Sequence, residues 1–168
     1  MSFQSSTLAF SLYRDLGCGP GNVLCTALFA CQPRAAIGIE YNADVVDIGH
    51  GILANERKAQ RVDADLLDRI ELCVGDLSQL TQLPADATHV FSYDRVMKQT
   101  TLQHIATLLN ALRPTVFVSF QLPKDWRRWG LLAECVDKLP ACSTTGGQKF
   151  TAYFFKWSDD RNRSTSER

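Results

Sequence analysis

Residues 14–22, RDLGCGPGN, form the stretch whose residue types and spacing are best suited to binding chemistry. Gly17, Gly19 and Gly21 fall at every second position, and Asp15 precedes the first of them. A glycine turn between a strand and a helix lets backbone N–H groups approach an oxygen-rich or anionic ligand. A carboxylate just before the turn can accept hydrogen bonds from an ammonium group. The stretch therefore predicts a ligand that carries both kinds of group.

Two cofactor classes compete for such a turn. A dinucleotide site would follow the pattern G-x-G-x-x-G, but Asn22 occupies the sixth position here. A pyrophosphate would also gain nothing from Asp15. The amino-acid end of S-adenosylmethionine offers an ammonium group to Asp15 and a carboxylate to the N–H groups of the turn. We therefore expect S-adenosylmethionine as the cofactor, with Cys18 and Asn22 also in the binding turn.

Two acidic residues farther along the chain fit the same cofactor. Glu40 is expected to end the second strand, where its carboxylate can accept hydrogen bonds from both ribose hydroxyls; NAD sites use the same device. Asp76, in the sequence VGDL, can accept a hydrogen bond from the adenine amino group while Leu77 packs on the ring. For Asp76, capping of the following turn is the alternative role.

The segment FSYDRVM follows the fourth predicted strand, at the sheet edge where open α/β sheets bind their ligands. We predict catalytic roles here for Asp94, which would orient an amine acceptor or help to remove its proton, and for Tyr93, which would line the channel or supply a hydroxyl. The alternative is that Phe91 and Tyr93 belong to the core and that Asp94 begins a turn.

Alternating strands and helices must position these residues. Apolar runs predict strands in TLAFSLYRDL, AAIGIEY, RIELCVGD, ATHVFSYD and TVFVSFQL. Helical periodicity predicts helices over residues 22–31, about 42–60, 100–113 and about 126–139. The ending ACSTTGGQKFTAYFFKW predicts a β-hairpin around Gly146-Gly147. This order predicts an α/β fold with a mostly parallel seven-stranded sheet, helices on both faces and a C-terminal antiparallel hairpin.

Length and composition limit the possible classes of protein. The 168 residues suit one domain, and we expect a core over residues 1–157 and a disordered polar tail over 158–168. The charges of eighteen basic and eighteen acidic side chains cancel, whereas a nucleic-acid-binding domain usually carries a basic excess. A zero net charge is still compatible with a local basic patch. We find neither an apolar run long enough to span a membrane nor a signal peptide.

The six cysteines form no C-x-x-C pair, and the three histidines lie far apart. Reduced thiols are therefore expected, in an intracellular protein of the nucleus or cytoplasm, and no metal site is predicted.

The string DLGCGPGN resembles motif I of the class I S-adenosylmethionine-dependent methyltransferases. The segments DLGCGPGNVLCTAL, AIGIEYNADVVDIG, VGDL, HVFSYDRVM and STTGGQKFTAYFFK are similar to stretches of the Dot1-type histone-lysine methyltransferases and related small protein-lysine methyltransferases. Where the Dot1 type carries paired asparagines, this chain has Tyr93 and Asp94.

The resemblance implies a Rossmann-like methyltransferase fold and methyl transfer to a lysine side chain of a protein, with histones among the candidate substrates. A lysine amine would first have to lose its proton, and an apolar channel lowers its pKa from about 10.4. Three alternatives remain: an RNA acceptor, a small metabolite acceptor, and a non-catalytic module that binds the cofactor or a partner. The oligomeric state is not specified.

Overall fold

The structure is a computed structural model that describes residues 11–143 and 149–158. Residues 7–10 of the first predicted strand, the turn at Gly146-Gly147 and residues 159–168 of the expected tail lie outside the described residues. The strands are β1 (Leu12–Leu16), β2 (Ala35–Glu40), β3 (Ile70–Val74), β4 (His89–Ser92), β5 (Val116–Ser119), β6 (Glu134–Ser143) and β7 (Lys149–Lys156). The helices are α1 (Asn22–Cys31), α2 (Ala43–Ala59), α3 (Ala64–Leu67), α4 (Gln99–Leu112) and α5 (Pro123–Arg128).

The seven strands form one sheet in the order β3-β2-β1-β4-β5-β7-β6. The pairs among β1 to β5 are parallel, whereas β7 is antiparallel to both β5 and β6. The predicted seven-stranded, mostly parallel sheet and its closing antiparallel hairpin are confirmed. Because β1 and β4 are neighbours but not consecutive, the carboxyl ends of β1, β2 and β4 meet around a crevice, which is where ligands bind in sheets of this kind.

Each face of the sheet carries its own apolar core. Leu16 belongs to a cluster with residues of α4, such as Ile105 and Leu109. Tyr13 packs against a second cluster, which includes Leu24 and Leu28 of α1. Since alternate residues of a strand point to opposite faces, the odd separation of Tyr13 and Leu16 places the two clusters on opposite sides. Helices therefore pack on both faces, as expected.

The predicted helix over residues 126–139 is wrong beyond Arg128. Helix α5 ends there, and Gly130 has φ +92°, a left-handed conformation that a right-handed helix cannot accommodate. From Glu134 the chain instead forms β6 and pairs with β7. The apolar spacing of this segment suits a helix, but hydrogen bonding to a strand later in the chain determines the outcome.

Two local features complete the framework. The Asn42 side chain caps α2 by accepting a hydrogen bond of 2.9 Å from the backbone N–H of Asp44. Among the helices of the described residues, none combines the length and apolar composition needed to cross a bilayer.

Candidate functional site

A pocket of about 690 Å³ opens at the carboxyl ends of the central strands. Its walls come from four segments that each follow a strand: the glycine turn after β1, the residues after β2, those after β3, and the stretch from β4 into the first turn of α4. The lining residues are Gly17, Gly19, Glu40, Tyr41, Asp76, Leu77, Ser78, Tyr93, Val96, Met97, Lys98, Thr100 and Thr101. Six residues that the sequence predicts for the site therefore share one cavity.

The glycine turn is held against β2 by its backbone. The N–H groups of Gly17 and Cys18 both donate to the carbonyl oxygen of Ile39, at 2.8 and 3.1 Å. Gly17 has φ +81°, and a Cβ atom there would lie 2.9 Å from Cε of Met97. Glycine at this position therefore relieves backbone strain and leaves the floor of the pocket open.

Gly21 has φ +91° and gives α1 no side-chain cap. The N–H groups of the first helical turn begin at Asn22, and uncapped N–H groups of this kind suit a carboxylate or other anion. Gly21, Asn22 and Cys18 are not among the residues that line the pocket. Cys18 instead packs into the core on the α1 side of the sheet, and burial raises the pKa of its thiol to about 12.

Glu40 joins the glycine turn to the start of α2. One of its carboxylate oxygens accepts a hydrogen bond from the N–H of Gly19 and the other from the N–H of Asn42, both at 3.0 Å. The side chain is thereby fixed on the wall of the pocket. Each oxygen has a second lone pair, so both can accept a further hydrogen bond from a ligand hydroxyl.

Asp15 lies in β1, two residues before Gly17, and is 1% exposed. Neither of its carboxylate oxygens has a hydrogen-bond partner among the described residues. Burial, together with the nearby charge of Glu40, raises the pKa of Asp15 to about 7. An unpartnered buried carboxylate is costly, and it favours a ligand that brings hydrogen-bond donors or positive charge.

Asp76 both caps a turn and lines the pocket. Its Oδ1 atom accepts hydrogen bonds from the backbone N–H of Ser78 at 2.8 Å and from the Ser78 hydroxyl at 2.7 Å. These bonds lower the pKa of Asp76, the side-chain bond more than the backbone bond. The neighbouring Leu77 is 8% exposed and joins the core cluster on the α4 side while one of its surfaces faces the cavity.

Tyr93 faces the pocket from a group of aromatic rings, which we call the aromatic cluster: Phe91, Tyr93, Phe120 and Phe150. The ring of Tyr93 meets Phe120 edge-on at 5.2 Å between centroids and Phe150 at 6.0 Å. Phe91 and Phe120 are 5.8 Å apart. Such edge-to-face contacts fix the orientation of the rings, so the aromatic cluster holds Tyr93 in place on the wall of the cavity.

Asp94 has a different environment from its neighbour. It is 0% exposed and is not among the pocket-lining residues. Its Oδ1 atom accepts a hydrogen bond of 3.0 Å from the N–H of Phe120, and Oδ2 accepts one from the Ser119 hydroxyl. Burial raises the pKa of Asp94 to about 6, although these hydrogen bonds oppose the rise. The geometry thus joins Asp94 to the end of β5 and does not direct it into the cavity.

Sequence reasoning missed seven lining residues: Tyr41, Ser78, Val96, Met97, Lys98, Thr100 and Thr101. Tyr41 could have been found, because it is an aromatic residue directly after Glu40, at the end of a predicted strand; in the structure it is 75% exposed. The residues that lead into α4 carry no such signal. Their part in the pocket depends on how the turn after β4 is folded.

No protein-family model and no curated protein sequence matches this chain. An RNA methyltransferase from Salinibacter ruber, solved in complex with S-adenosyl-L-homocysteine, is 21% identical with a TM-score of 0.60, over 89% of this chain and 82% of that chain. The methyltransferase domain of bacterial CtHen1 is 16% identical with a TM-score of 0.64, over 92% of each chain.

A geranyl diphosphate C-methyltransferase from Streptomyces coelicolor, also solved with S-adenosyl-L-homocysteine, is 11% identical. Its TM-score is 0.59, and the match covers 89% of this chain and 73% of that one. Identities this low establish the architecture alone. The described chain has the fold of the class I S-adenosylmethionine-dependent methyltransferases.

Proposed function

We propose that this chain binds S-adenosylmethionine in the 690 Å³ pocket and transfers its methyl group. The observation that carries the proposal is the meeting of Gly17, Gly19, Glu40 and Asp76 on one cavity at the carboxyl edge of the sheet. They come from three separate segments: the glycine turn leaves space for the ligand, while Glu40 at the end of β2 and Asp76 after β3 offer carboxylates to different parts of the cofactor. Solved neighbours of the same fold contain S-adenosyl-L-homocysteine, which also supports this choice.

The residues present fit the cofactor in charge as well as in shape. The buried carboxylate of Asp15, which has no partner among the described residues, suits an ammonium group reached directly or through water. Glu40 would hold the ribose hydroxyls, and Asp76 with Leu77 would hold the adenine. The backbone at Gly21 and Asn22, at the uncapped start of α1, would bind the carboxylate of the cofactor.

When bound, S-adenosylmethionine supplies an electrophilic methyl group whose bond to sulfur breaks with both electrons remaining on the sulfur. The chain's own residues then need mainly to align the acceptor and exclude water. We assign the acceptor side of the pocket to Tyr93. Asp94 would act as a positioning residue that fixes the turn carrying Tyr93, since both its oxygens are engaged by β5 and the residue after it.

The Dot1-type resemblance implies a protein lysine as the acceptor, and this stays a prediction. None of the three solved structures reported above is described as a protein methyltransferase. An RNA acceptor has a specific observation in its favour: exposed basic residues lie beside the aromatic cluster.

Calorimetric titration of the full chain with S-adenosylhomocysteine and with NAD tests the proposed cofactor. We expect saturable binding of the first only. Glu40→Gln should weaken binding about ten- to a hundred-fold, because one charge-assisted hydrogen bond is worth ~1.5–3 kcal/mol. Glu56→Gln is the matched control, since Glu56 lies on α2 and pairs with Arg61 outside the pocket. Binding of NAD alone, or of neither ligand, would contradict the proposal.

Transfer of labelled methyl groups tests the activity itself. The full chain would be incubated with methyl-labelled S-adenosylmethionine and with histones, mixed RNA or small amines in separate reactions. Incorporation into any of them supports an enzyme. Tight binding of S-adenosylhomocysteine without incorporation into any acceptor would favour the non-catalytic alternative.

A further inference from the structure

Exposed basic side chains follow the strands on the Tyr93 side of the pocket, and one of them, Lys98, lines it. Six exposed basic residues come from the turn after β4, from α5 after β5 and from the start of β7, which lies at the same edge because β7 is antiparallel to β5. They are Arg95, Lys98, Lys124, Arg127, Arg128 and Lys149. The acidic residues in these segments are Asp94, which is buried, and Asp125, which is partly buried.

Acidic residues concentrate on the other half of this edge. Glu40 ends β2, Asp44 lies in the first turn of α2, and Asp76 follows β3. In the sheet order these elements lie on one side of β1, while β4, β5 and β7 lie on the other. The chain has equal numbers of basic and acidic residues, but their separation gives the β4–β5–β7 side a local positive potential.

The aromatic cluster lies within this basic region. The guanidinium carbon of Arg95 is 5.2 Å from the centroid of the Phe150 ring, a cation–π contact. Tyr93 contacts the same ring from within the pocket wall. Lys98 lines the pocket as well. A molecule that reaches the pocket from this side therefore meets the partly exposed rings of Tyr93 and Phe150 together with positive charges.

These two chemistries together select one class of partner. Aromatic rings stack on unpaired nucleobases, and arginine and lysine side chains bind the phosphates between them. A basic peptide such as a histone tail would meet charges of its own sign. We propose that the surface formed by Tyr93, Phe150, Arg95, Lys98 and Lys149 binds single-stranded nucleic acid. That this strand carries the methyl acceptor rests on the proposed function; the binding does not.

Fluorescence anisotropy of the full chain with a labelled 20-nucleotide single strand tests the surface. RNA and DNA of one mixed sequence, the RNA duplex, and a lysine-rich peptide are compared at low and moderate salt. We expect the single strands to bind most tightly and to weaken as salt rises. Binding of either single strand supports the proposal, and the ratio of their Kd values identifies the preferred sugar. Preference for the peptide, or no binding of either single strand at low salt, would overturn it.

Two charge-reversal variants locate the surface. Arg95→Glu with Lys149→Glu reverses the charge on the Phe150 ring and at the preceding residue of β7, whereas Lys58→Glu with Arg61→Glu makes the same change in charge near the end of α2. The first pair should weaken strand binding about ten-fold or more and flatten the salt dependence, and the second should leave both unchanged. Equal losses in the two pairs would show that charge alone, anywhere on the chain, is responsible, and would overturn the proposal.

Calorimetry with S-adenosylhomocysteine separates this inference from the proposed function. Both charge-reversal pairs avoid the pocket-lining residues, so cofactor affinity should be preserved in each. If a single strand binds and S-adenosylhomocysteine does not, the proposed function is wrong, but the proposed nucleic-acid-binding surface is supported. If S-adenosylhomocysteine binds and no single strand does, the surface is wrong and the cofactor site stands.

Discussion

The hydroxyl group of Ser119, the last residue of β5, donates a hydrogen bond to Oδ2 of Asp94 in the turn after β4. The same hydroxyl accepts hydrogen bonds from Nε1 of Trp126 at 2.5 Å and from the N–H of Gln121 at 3.0 Å. A serine hydroxyl has one donor and two acceptor positions, and all three are used. The turn that carries Tyr93 is thereby tied to β5 and α5 through one buried side chain.

Ser119→Ala should lower the free energy of unfolding by about 2–4 kcal/mol, because it leaves buried groups on Asp94, Trp126 and Gln121 without this partner. Urea denaturation at pH 7 measures the change. The matched control is Ser92→Ala on β4, whose hydroxyl is equally buried but makes a 2.8 Å bond to the carbonyl oxygen of Leu16 and does not contact Asp94. Its expected cost is about 1 kcal/mol. Equal losses for the two serines would refute the proposed role of the Asp94 link.

Asp15 should make the ligand-free chain less stable as pH rises. Its pKa is about 7 in the folded chain, above that of an unfolded aspartate, so the folded state holds the extra proton between roughly pH 4 and pH 7. The contribution of Asp15 to the free energy of unfolding is fully present below roughly pH 4 and is lost as the pH rises through about 7. Asp15→Asn should therefore raise Tm at pH 8, leave it nearly unchanged at pH 4, and weaken cofactor binding.

Thermal denaturation across this pH range checks the effect of Asp15. Asp47→Asn, which changes an exposed carboxylate on α2, serves as the control and should leave the pH profile unaltered. A Tm for Asp15→Asn that follows the parent chain at every pH would show that burial of this carboxylate has no cost.

Local patterns in the sequence were sufficient to predict that the glycine turn, Glu40 and Asp76 lie together. The glycine turn, Glu40 and Asp76 each follow a strand that apolar runs reveal, and parallel strands bring their carboxyl ends together. Helix α1 was predicted with its observed bounds because its apolar spacing is helical and both of its ends are marked by turn residues, glycine before it and Gln32-Pro33 after it.

The acceptor half depends on contacts between distant segments. The burial of Asp94 follows from its bonds to Ser119 and Phe120, about 25 residues later, and no local pattern encodes them. The first part of β6, residues 134–139, was predicted as helix for the same reason, since its partner β7 comes later in the chain. The basic region beside the aromatic cluster is likewise invisible to a charge count, because it depends on which strands are neighbours.

Gly17→Ala should impair the cofactor site while the fold survives. A residue with a Cβ atom at φ +81° costs about 1–2 kcal/mol, and the methyl group would displace Cε of Met97 from its place in the pocket wall. Calorimetry with S-adenosylhomocysteine should show markedly weaker binding, and denaturation a loss of that size. Gly51→Ala, in the exposed face of α2 with open space around it, should instead stabilise the chain by about 0.5–1 kcal/mol and leave cofactor binding unchanged. Unchanged affinity in Gly17→Ala would remove this glycine from the site.

Tyr93 offers both a ring and a hydroxyl to the acceptor, and two substitutions separate them. The ring contacts Phe120 and Phe150 and lines the pocket. We therefore expect it to position the acceptor by packing. Tyr93→Phe keeps the ring and should retain kcat within about three-fold. This is a smaller change in kcat than the loss of one charge-assisted hydrogen bond would cause. Tyr93→Leu removes the aromatic face and should raise KM for the acceptor about ten-fold, the value of one stacked base.

Steady-state kinetics with the acceptor found by label transfer distinguishes the two roles of Tyr93. S-adenosylhomocysteine affinity, measured in parallel, shows whether the cofactor side of the shared pocket is disturbed. If Tyr93→Phe instead lost kcat about a hundred-fold or more with KM unchanged, the hydroxyl would act in the transition state, as expected of a group that transfers or holds a proton there. That result would give Tyr93 a chemical role in place of a packing role.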